Sequence, residues 1–173
     1  MFTGHIDKTT WSFKGIDYEH HEIHEGSHFM IKDFINLTTG TSIEFLFVTQ
    51  DSTKWPHFLF AADNEAEAEY VFIEGVTAVV SGTTLLPVNS NRNYSATTSV
   101  LNCFTSPLDV GFGSGTTISR FRRGSGRKLG GEVRSADEVV LKQNTKYYIR
   151  ISERAGSDNL INYFFAWYEH TNH

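Results

Sequence analysis

Two segments near the end of the chain decide the fold: Glu138-Val-Val-Leu-Lys-Gln-Asn-Thr-Lys-Tyr-Tyr-Ile-Arg-Ile-Ser152 and Leu160-Ile-Asn-Tyr-Phe-Phe-Ala-Trp-Tyr-Glu-His170. Both are rich in the β-branched and aromatic residues that favour strands. A short polar turn separates them, so they predict two strands that follow one another in the chain. Their residue types are those of a sheet and do not form a catalytic set.

Apolar residues recur with a spacing of two along most of the chain, which is typical of strands with one buried face. Turn signals rich in Gly, Asn and Ser separate these segments at regular intervals, as a β-sandwich or barrel requires. The sequence therefore predicts an all-β fold. The predicted strands are Tyr18–His24, Phe29–Asn36, Ser42–Thr49, His57–Ala62, Glu69–Glu74, Thr83–Pro87, Thr98–Phe104, Thr116–Arg122, Asp137–Lys142, Lys146–Glu153 and Leu160–Glu169.

The length and composition indicate one globular domain without a membrane segment. A chain of 173 residues is long enough to bury a core without disulfides, and Cys103, the single cysteine, is predicted to be a buried small apolar residue. No segment approaches the ~20 apolar residues of a membrane span, and the N-terminus does not resemble a secretion signal. We expect a protein that is made in the cytoplasm, with no membrane partner.

Basic residues concentrate in one Gly-rich segment, which is the main candidate for a binding surface. Its members are Arg120, Arg122, Arg123, Arg127, Lys128 and Arg134. Three interpretations are open: a solvated turn, contact with an acidic protein surface, or contact with nucleic acid. Nucleic-acid sites usually combine basic residues with several aromatic side chains that stack on bases. This segment has one aromatic residue, Phe121. The net charge of −5 also argues against a general nucleic-acid binder, so protein contact is favoured and direct nucleic-acid binding is not expected.

An acidic segment offers a complement to the basic one. On a strand, Glu65, Glu67 and Glu69 would share one solvent-facing side, opposite Ala66, Ala68 and Tyr70. Identical subunits can then meet basic segment to acidic strand, since complementary charge sets the register of an interface. The predicted contact residues are Arg120, Arg122, Arg123, Arg127, Lys128, Glu65, Glu67 and Glu69.

Enzymatic interpretations are weaker. The glycines of a nucleophile elbow are replaced around Ser114 by Phe112 and Thr116, and no phosphate-binding loop is present. On a strand, His20, Glu22 and His24 would share one face of side chains able to bind zinc, but their spacing matches no established zinc signature. We therefore predict no catalytic residue, metal or cofactor. A cupin-like metal enzyme that uses His20, His24 and His57 remains the alternative from this class.

Four segments together resemble the β-sandwich virion proteins of tailed bacteriophages, in particular capsid decoration proteins, also called auxiliary head proteins. They are Asp17–Phe29, Pro87–Asn93, the Gly/Arg segment up to Gly130-Gly131, and Glu138–Tyr147 together with the closing Trp167-Tyr-Glu-His-Thr171. Together they span the chain from about residue 16 to residue 171, and their order and spacing jointly carry the resemblance.

The resemblance implies a jelly-roll-like antiparallel β-sandwich at residues 16–173, preceded by an extended N-terminal arm at residues 1–15. It also implies a non-enzymatic homotrimer on the virion that binds the outer surface of the major capsid protein lattice. Similar sandwiches occur in tails, baseplates and head fibres. The alternative is therefore such a component, with a carbohydrate-binding face drawn from Trp11, Trp55, Tyr94 or Trp167.

Overall fold

The computed structural model describes residues 5–6, 13–14, 18–77, 80–93, 98–107, 114–124, 133–134 and 138–171. Within them lie fourteen strands and one helix. In chain order these are β1 (His5–Ile6), β2 (Phe13–Lys14), α1 (Tyr18–Glu25), β3 (His28–Leu37), β4 (Ser42–Thr49), β5 (Lys54–Asn64), β6 (Ala68–Glu74), β7 (Thr83–Leu85), β8 (Val88–Asn89), β9 (Leu101–Thr105), β10 (Thr116–Arg123), β11 (Val133–Arg134), β12 (Val139–Val140), β13 (Lys146–Glu153) and β14 (Asn159–Thr171).

The main strands pair as a nested set. β3 pairs with β14, β4 with β13, β5 with β12 and also with β11, and β6 with β10, all antiparallel. Sheet one has the order β8-β3-β14-β5-β11, with β12 also beside β5, and sheet two has the order β7-β9-β4-β13-β6-β10. Eight strands that pair first with last in two packed sheets form a jelly roll. The predicted all-β, jelly-roll-like sandwich is therefore confirmed.

Aromatic rings fill the space between the two sheets. Phe45 and Phe47 of β4 meet Phe165 of β14 at ring-centroid distances of 4.8 and 4.9 Å, and Phe58 and Trp167 extend the cluster. Each of these side chains is at most 1% exposed. Tilted and edge-to-face pairs add about 0.5–1.5 kcal/mol each beyond the area they bury, so the interior is a packed aromatic core. Cys103 lies in it at 1% exposure, as predicted.

The predicted strand Tyr18–His24 is wrong, because Tyr18–Glu25 forms helix α1. The helix ends in a Schellman motif: the Gly26 amide donates to the Ile23 carbonyl, and the Ser27 amide donates to the Glu22 carbonyl. Gly26 has φ +73°, which a glycine adopts without steric cost. Gly26 therefore caps a helix and does not form a turn between two strands.

Most other predicted strands are present with shifted ends. Ser42–Thr49 and Lys146–Glu153 match as predicted, whereas Thr83–Pro87 gives way to the short β7 and β8, and Asp137–Lys142 shortens to β12. In the predicted arm, β1 and β2 pair antiparallel. The rest of residues 1–15 lies outside the described residues.

Candidate functional site

The acidic and basic residues singled out in the sequence meet on the outer face of sheet two. Tyr70 and Phe121 point into the core, so Glu69, Arg120 and Arg122 point to the opposite face. In the sheet, Glu69 pairs across with Arg122 on β10 and with Ser152 on β13. This register places Glu69 at the centre of the arginines. We call Glu69 with Arg120, Arg122 and Arg154 the arginine cluster.

Glu69 accepts hydrogen bonds from both sides. Arg120 Nε donates to Glu69 Oε1 at 2.6 Å, while Arg154 donates to Oε2 through Nε at 2.8 Å and Nη2 at 2.7 Å. Arg122 is farther away, with Nη2 at 3.8 Å from Glu69 Oε2 and Nη1 at 3.6 Å from Glu67 Oε1. Arg120 also contacts Oε1 through Nη2 at 2.5 Å, so each carboxylate oxygen of Glu69 is held by two nitrogens of one guanidinium group.

The cluster is buried at its centre and exposed at its rim. The Glu69 side chain is 2% exposed, whereas the side chains of Arg120, Arg122 and Arg154 are 64%, 58% and 38% exposed. Burial alone would raise the pKa of Glu69, but the hydrogen bonds from Arg154 and Arg120 outweigh it and lower the pKa below the ordinary glutamate value. Three guanidinium groups thus surround two carboxylates, and the surplus positive charge faces solvent.

The predicted solvent-facing position of Glu69 is therefore wrong. Glu65 and Glu67 lie in the turn between β5 and β6, and only Glu69 lies on a strand. The basic and acidic residues were expected to meet between subunits, yet Arg120, Arg122 and Glu69 already pair within one chain. Arg154 was not singled out from the sequence. Its one signal is its position two residues beyond Ser152, the cross-strand neighbour of Glu69.

Arg123 closes strand β10 and is exposed. Gly124 follows with φ +88°, and a Cβ there would lie 2.6 Å from the Ala66 carbonyl oxygen. Only a glycine fits at this point, because a side chain would collide with the backbone of Ala66. Arg127, Lys128 and Arg134 complete the predicted basic segment. The first two lie outside the described residues, and Arg134 is described only as backbone of β11.

The predicted face of His20, Glu22 and His24 does not form, because helix α1 turns Glu22 away from the two histidines. His20 and His24 lie one helical turn apart, with their Nε2 atoms 3.1 Å from each other. Glu22 points elsewhere and is 6% exposed, and its carboxylate accepts a hydrogen bond from Ser27 Oγ. His57 belongs to another cluster, on sheet one, where it bonds to Glu138 and His170. Among the described residues no group of three or more His, Cys, Asp or Glu is placed to hold a metal ion.

A buried carboxylate lies at the end of β14. Glu169 is 1% exposed, and its Oε1 accepts hydrogen bonds from Ser99 Oγ at 2.6 Å, Val100 N at 2.9 Å and Trp167 Nε1 at 3.0 Å. Burial raises the pKa of Glu169 in spite of these bonds. Trp167 is fully buried, so its proposed part in a carbohydrate-binding face is wrong. Trp11 and Tyr94 lie outside the described residues.

A small cavity opens where β10 and β12 approach each other at the edge of the sandwich. Its volume is about 100 Å³, below the ~300–1,000 Å³ of typical small-molecule sites. Its lining is apolar apart from Ser119 and consists of Phe58, Phe60, Phe72, Ile118, Ser119, Phe121 and Val139. A lining without titratable groups gives this cavity no acid, base or nucleophile.

Comparisons with known proteins add no relative: no protein-family model, no curated protein and no solved structure matches the chain. Over the described residues, no helix has the length and apolar character that crossing a bilayer requires.

Proposed function

We propose that this protein is a structural component of a tailed-bacteriophage virion. In this proposal it has no enzymatic activity and acts as a homotrimer that decorates the head. It binds the outer surface of the major capsid protein lattice and stabilises the capsid. The observation that carries the proposal is the nested strand pairing, because jelly rolls with this topology build viral capsid domains as well as lectins and cupins. Because a shared fold does not establish a shared function, the proposal also needs support from the surface residues.

The filled interior favours a binding role over a cupin-like enzyme. A cupin-type site needs room between the sheets for a metal ion and a substrate. Here the corresponding space is occupied by Phe45, Phe47, Phe58, Phe165 and Trp167, each at most 1% exposed. The chemistry available to such a molecule lies on its outside, which is where a decoration protein works.

The arginine cluster supplies a surface suited to an acidic partner. The carboxylate of Glu69 is enclosed by the protein and orders the guanidinium groups of Arg120 and Arg154, while all three arginine side chains remain more than one third exposed. Ordered guanidinium groups bind carboxylates with little further loss of side-chain freedom. We propose this surface, extended by Arg123, as the contact with acidic side chains on the capsid lattice.

Binding of this kind stabilises an assembled head by mass action. A protein with affinity for the closed lattice, and none for free capsid subunits, shifts the equilibrium towards the lattice. A trimer that engages three equivalent sites raises its effective concentration at each one. Modest contacts of a few arginines per subunit are then sufficient.

Co-sedimentation tests the proposal directly. Purified protein is mixed with expanded, undecorated heads of the virus that encodes it. Separately, light scattering measures the molecular mass of the free protein, and we expect three times the 19.6 kDa of the chain. Wild-type protein should pellet with the heads. R122Q/R123Q should reduce affinity by about tenfold or more, since exposed pairs contribute about 0.2–1 kcal/mol each and act at three sites.

R92Q is the matched control, because Arg92 is exposed in a turn apart from the cluster, and its binding should equal that of wild type. Protein that stays in the supernatant with intact heads would overturn the decoration role. Equal binding by R122Q/R123Q would leave that role standing and refute the arginine contact.

One observation favours the second candidate, a tail, baseplate or head-fibre component that binds carbohydrate. Trp55 is 37% exposed and pairs across the strands with His170 on the outer face of sheet one. An exposed indole beside polar side chains is suited to stack on a sugar ring. A glycan array separates the candidates: binding that W55A abolishes supports the carbohydrate role, and a blank array opposes it.

A further inference from the structure

Three aromatic side chains form a stack on the outer face of sheet one, away from the arginine cluster. Tyr168 pairs across the strands with His57, and His170 lies two residues farther along β14 on the same face. The rings of His57 and Tyr168 are stacked at 4.6 Å and 16°, and those of His57 and His170 lie 4.4 Å apart. The side chain of His57 is only 14% exposed. The stack places the two imidazole rings side by side.

A hydrogen-bond acceptor lies at the outer edge of each ring. His57 Nδ1 donates to the carboxylate of Glu138, which also accepts a hydrogen bond from the Tyr168 hydroxyl at 2.9 Å. His170 Nδ1 donates to the Thr171 carbonyl at 3.2 Å, since a carbonyl can only accept. A neutral imidazole with a proton on Nδ1 has a lone pair on Nε2. Both Nε2 atoms therefore present lone pairs to each other.

These two Nε2 atoms are 2.6 Å apart. Two lone pairs at that separation repel, so either a hydrogen atom carried by one ring or a metal ion must lie between them. The outer hydrogen bonds are those that accompany histidine ligands of metals, whose second ring nitrogen commonly donates to a carboxylate or a backbone carbonyl.

We propose that His57 and His170 bind one divalent transition-metal ion of the zinc type between their Nε2 atoms. Imidazole suits zinc, copper and nickel, whereas magnesium and calcium require oxygen ligands. Zinc–nitrogen bonds of about 2.0–2.1 Å in a tetrahedron separate two nitrogens by about 3.3 Å, so the rings must open by about 0.7 Å. His170 is half-buried and lies next to the last residue of β14, so this opening falls at the end of the strand. Water completes the coordination.

The site joins β5, β14 and the segment that leads into β12 through His57, His170 and Glu138. It is independent of the proposed virion role, because none of its members belongs to the arginine cluster. Its two protein ligands leave coordination positions open. The ion should therefore bind reversibly and add stability to an already folded sheet.

Zinc titration tests the site in an H20Q/H24Q background, because the exposed pair on α1, with its Nε2 atoms 3.1 Å apart, is itself able to bind zinc. Calorimetry with zinc chloride should show one ion per chain, together with a rise in melting temperature that magnesium does not reproduce. H57Q or H170Q, added to the background, should abolish the binding. E138Q should weaken it about 10–100-fold, the usual cost of losing an outer carboxylate partner.

H21Q is the matched control, since His21 is an exposed histidine of α1 outside both pairs, and it should leave the titration unchanged. Circular dichroism establishes whether each variant is folded. If a histidine variant fails to fold, E138Q still tests the site, because it keeps both imidazole ligands. The absence of zinc binding in the background protein would overturn the proposal and leave a direct hydrogen bond between the rings. Binding that survives in both H57Q and H170Q would overturn it as well.

Discussion

At the scale of single residues, Glu69 shows how a buried charge becomes tolerable. The carboxylate is 2% exposed yet ionised, because Arg120 and Arg154 supply hydrogen bonds at 2.6–2.8 Å. Hydrogen bonds to charged groups contribute about 1.5–3 kcal/mol each before the cost of burial is counted. The side chain therefore serves both stability and the presentation of the arginines.

We expect E69Q to lower the free energy of unfolding by about 1–3 kcal/mol at pH 7, since an amide accepts fewer and weaker bonds from guanidinium groups. The pKa of Glu69 is lowered by folding, so its stabilisation is present above the unfolded pKa of about 4.3 and is lost as pH falls through the folded pKa. Denaturant unfolding at pH 7, 5 and 3 measures both effects. The difference in the free energy of unfolding between E69Q and wild type should shrink in acid. E65Q is the control: Glu65 lies in an exposed turn, so this change should alter stability by less than about 0.5 kcal/mol.

Glu169 should have the opposite pH dependence. Burial raises its pKa in the folded state, so its contribution is complete below the unfolded pKa and is lost as pH rises through the folded pKa. E169Q removes the titration but keeps an oxygen that can accept from Ser99 and Trp167. The stability of E169Q relative to wild type should therefore increase between pH 4 and pH 8, by on the order of 1 kcal/mol for each unit of pKa shift. A difference that stays constant over this range, measured by the same unfolding series, would contradict the assignment.

At the scale of elements, the sequence predicts those parts whose local signal agrees with their final environment. β4 and β13 were predicted with their observed ends, because alternating aromatic and β-branched residues pack one face of each strand in the core. Helix α1 was missed because seven of its eight residues are Tyr, His or Glu and offer little apolar period. The glycine that follows it marks a helix end as readily as a turn between strands.

The arginine cluster, likewise, could be predicted only in part from local sequence. The residue types of the arginine cluster were visible in the sequence, but the pairing of Arg122 with Glu69 depends on the register between β6 and β10. That register follows from long-range packing and not from local propensity. Arg154 was missed for the same reason, since it follows β13 and reaches Glu69 on the paired strand β6. The His57–His170 pair likewise joins side chains from distant strands, and no local spacing indicates it.

At the scale of the whole molecule, the nested topology makes stability depend on the end of the chain. β14 is the central strand of its sheet, with β3 on one side and β5 on the other. It contributes Ile161, Phe165 and Trp167 to the core, all 0% exposed. The first long strand cannot complete its pairing until the last one has been made, and pairings of such long range form slowly.

Deletion of residues 159–173 should therefore abolish folding of the whole domain and not only fray one edge. The loss of three fully buried side chains, at about 2–5 kcal/mol each, consumes most or all of the ~5–15 kcal/mol that stabilises a typical domain. The two halves of sheet one would also lose the strand that joins them. Circular dichroism and one-dimensional NMR measure the outcome, and deletion of residues 172–173 alone is the control, because it leaves every pair of β14 intact. A truncated protein that kept a cooperative unfolding transition would show that sheet two folds without sheet one, contrary to the nested pairing.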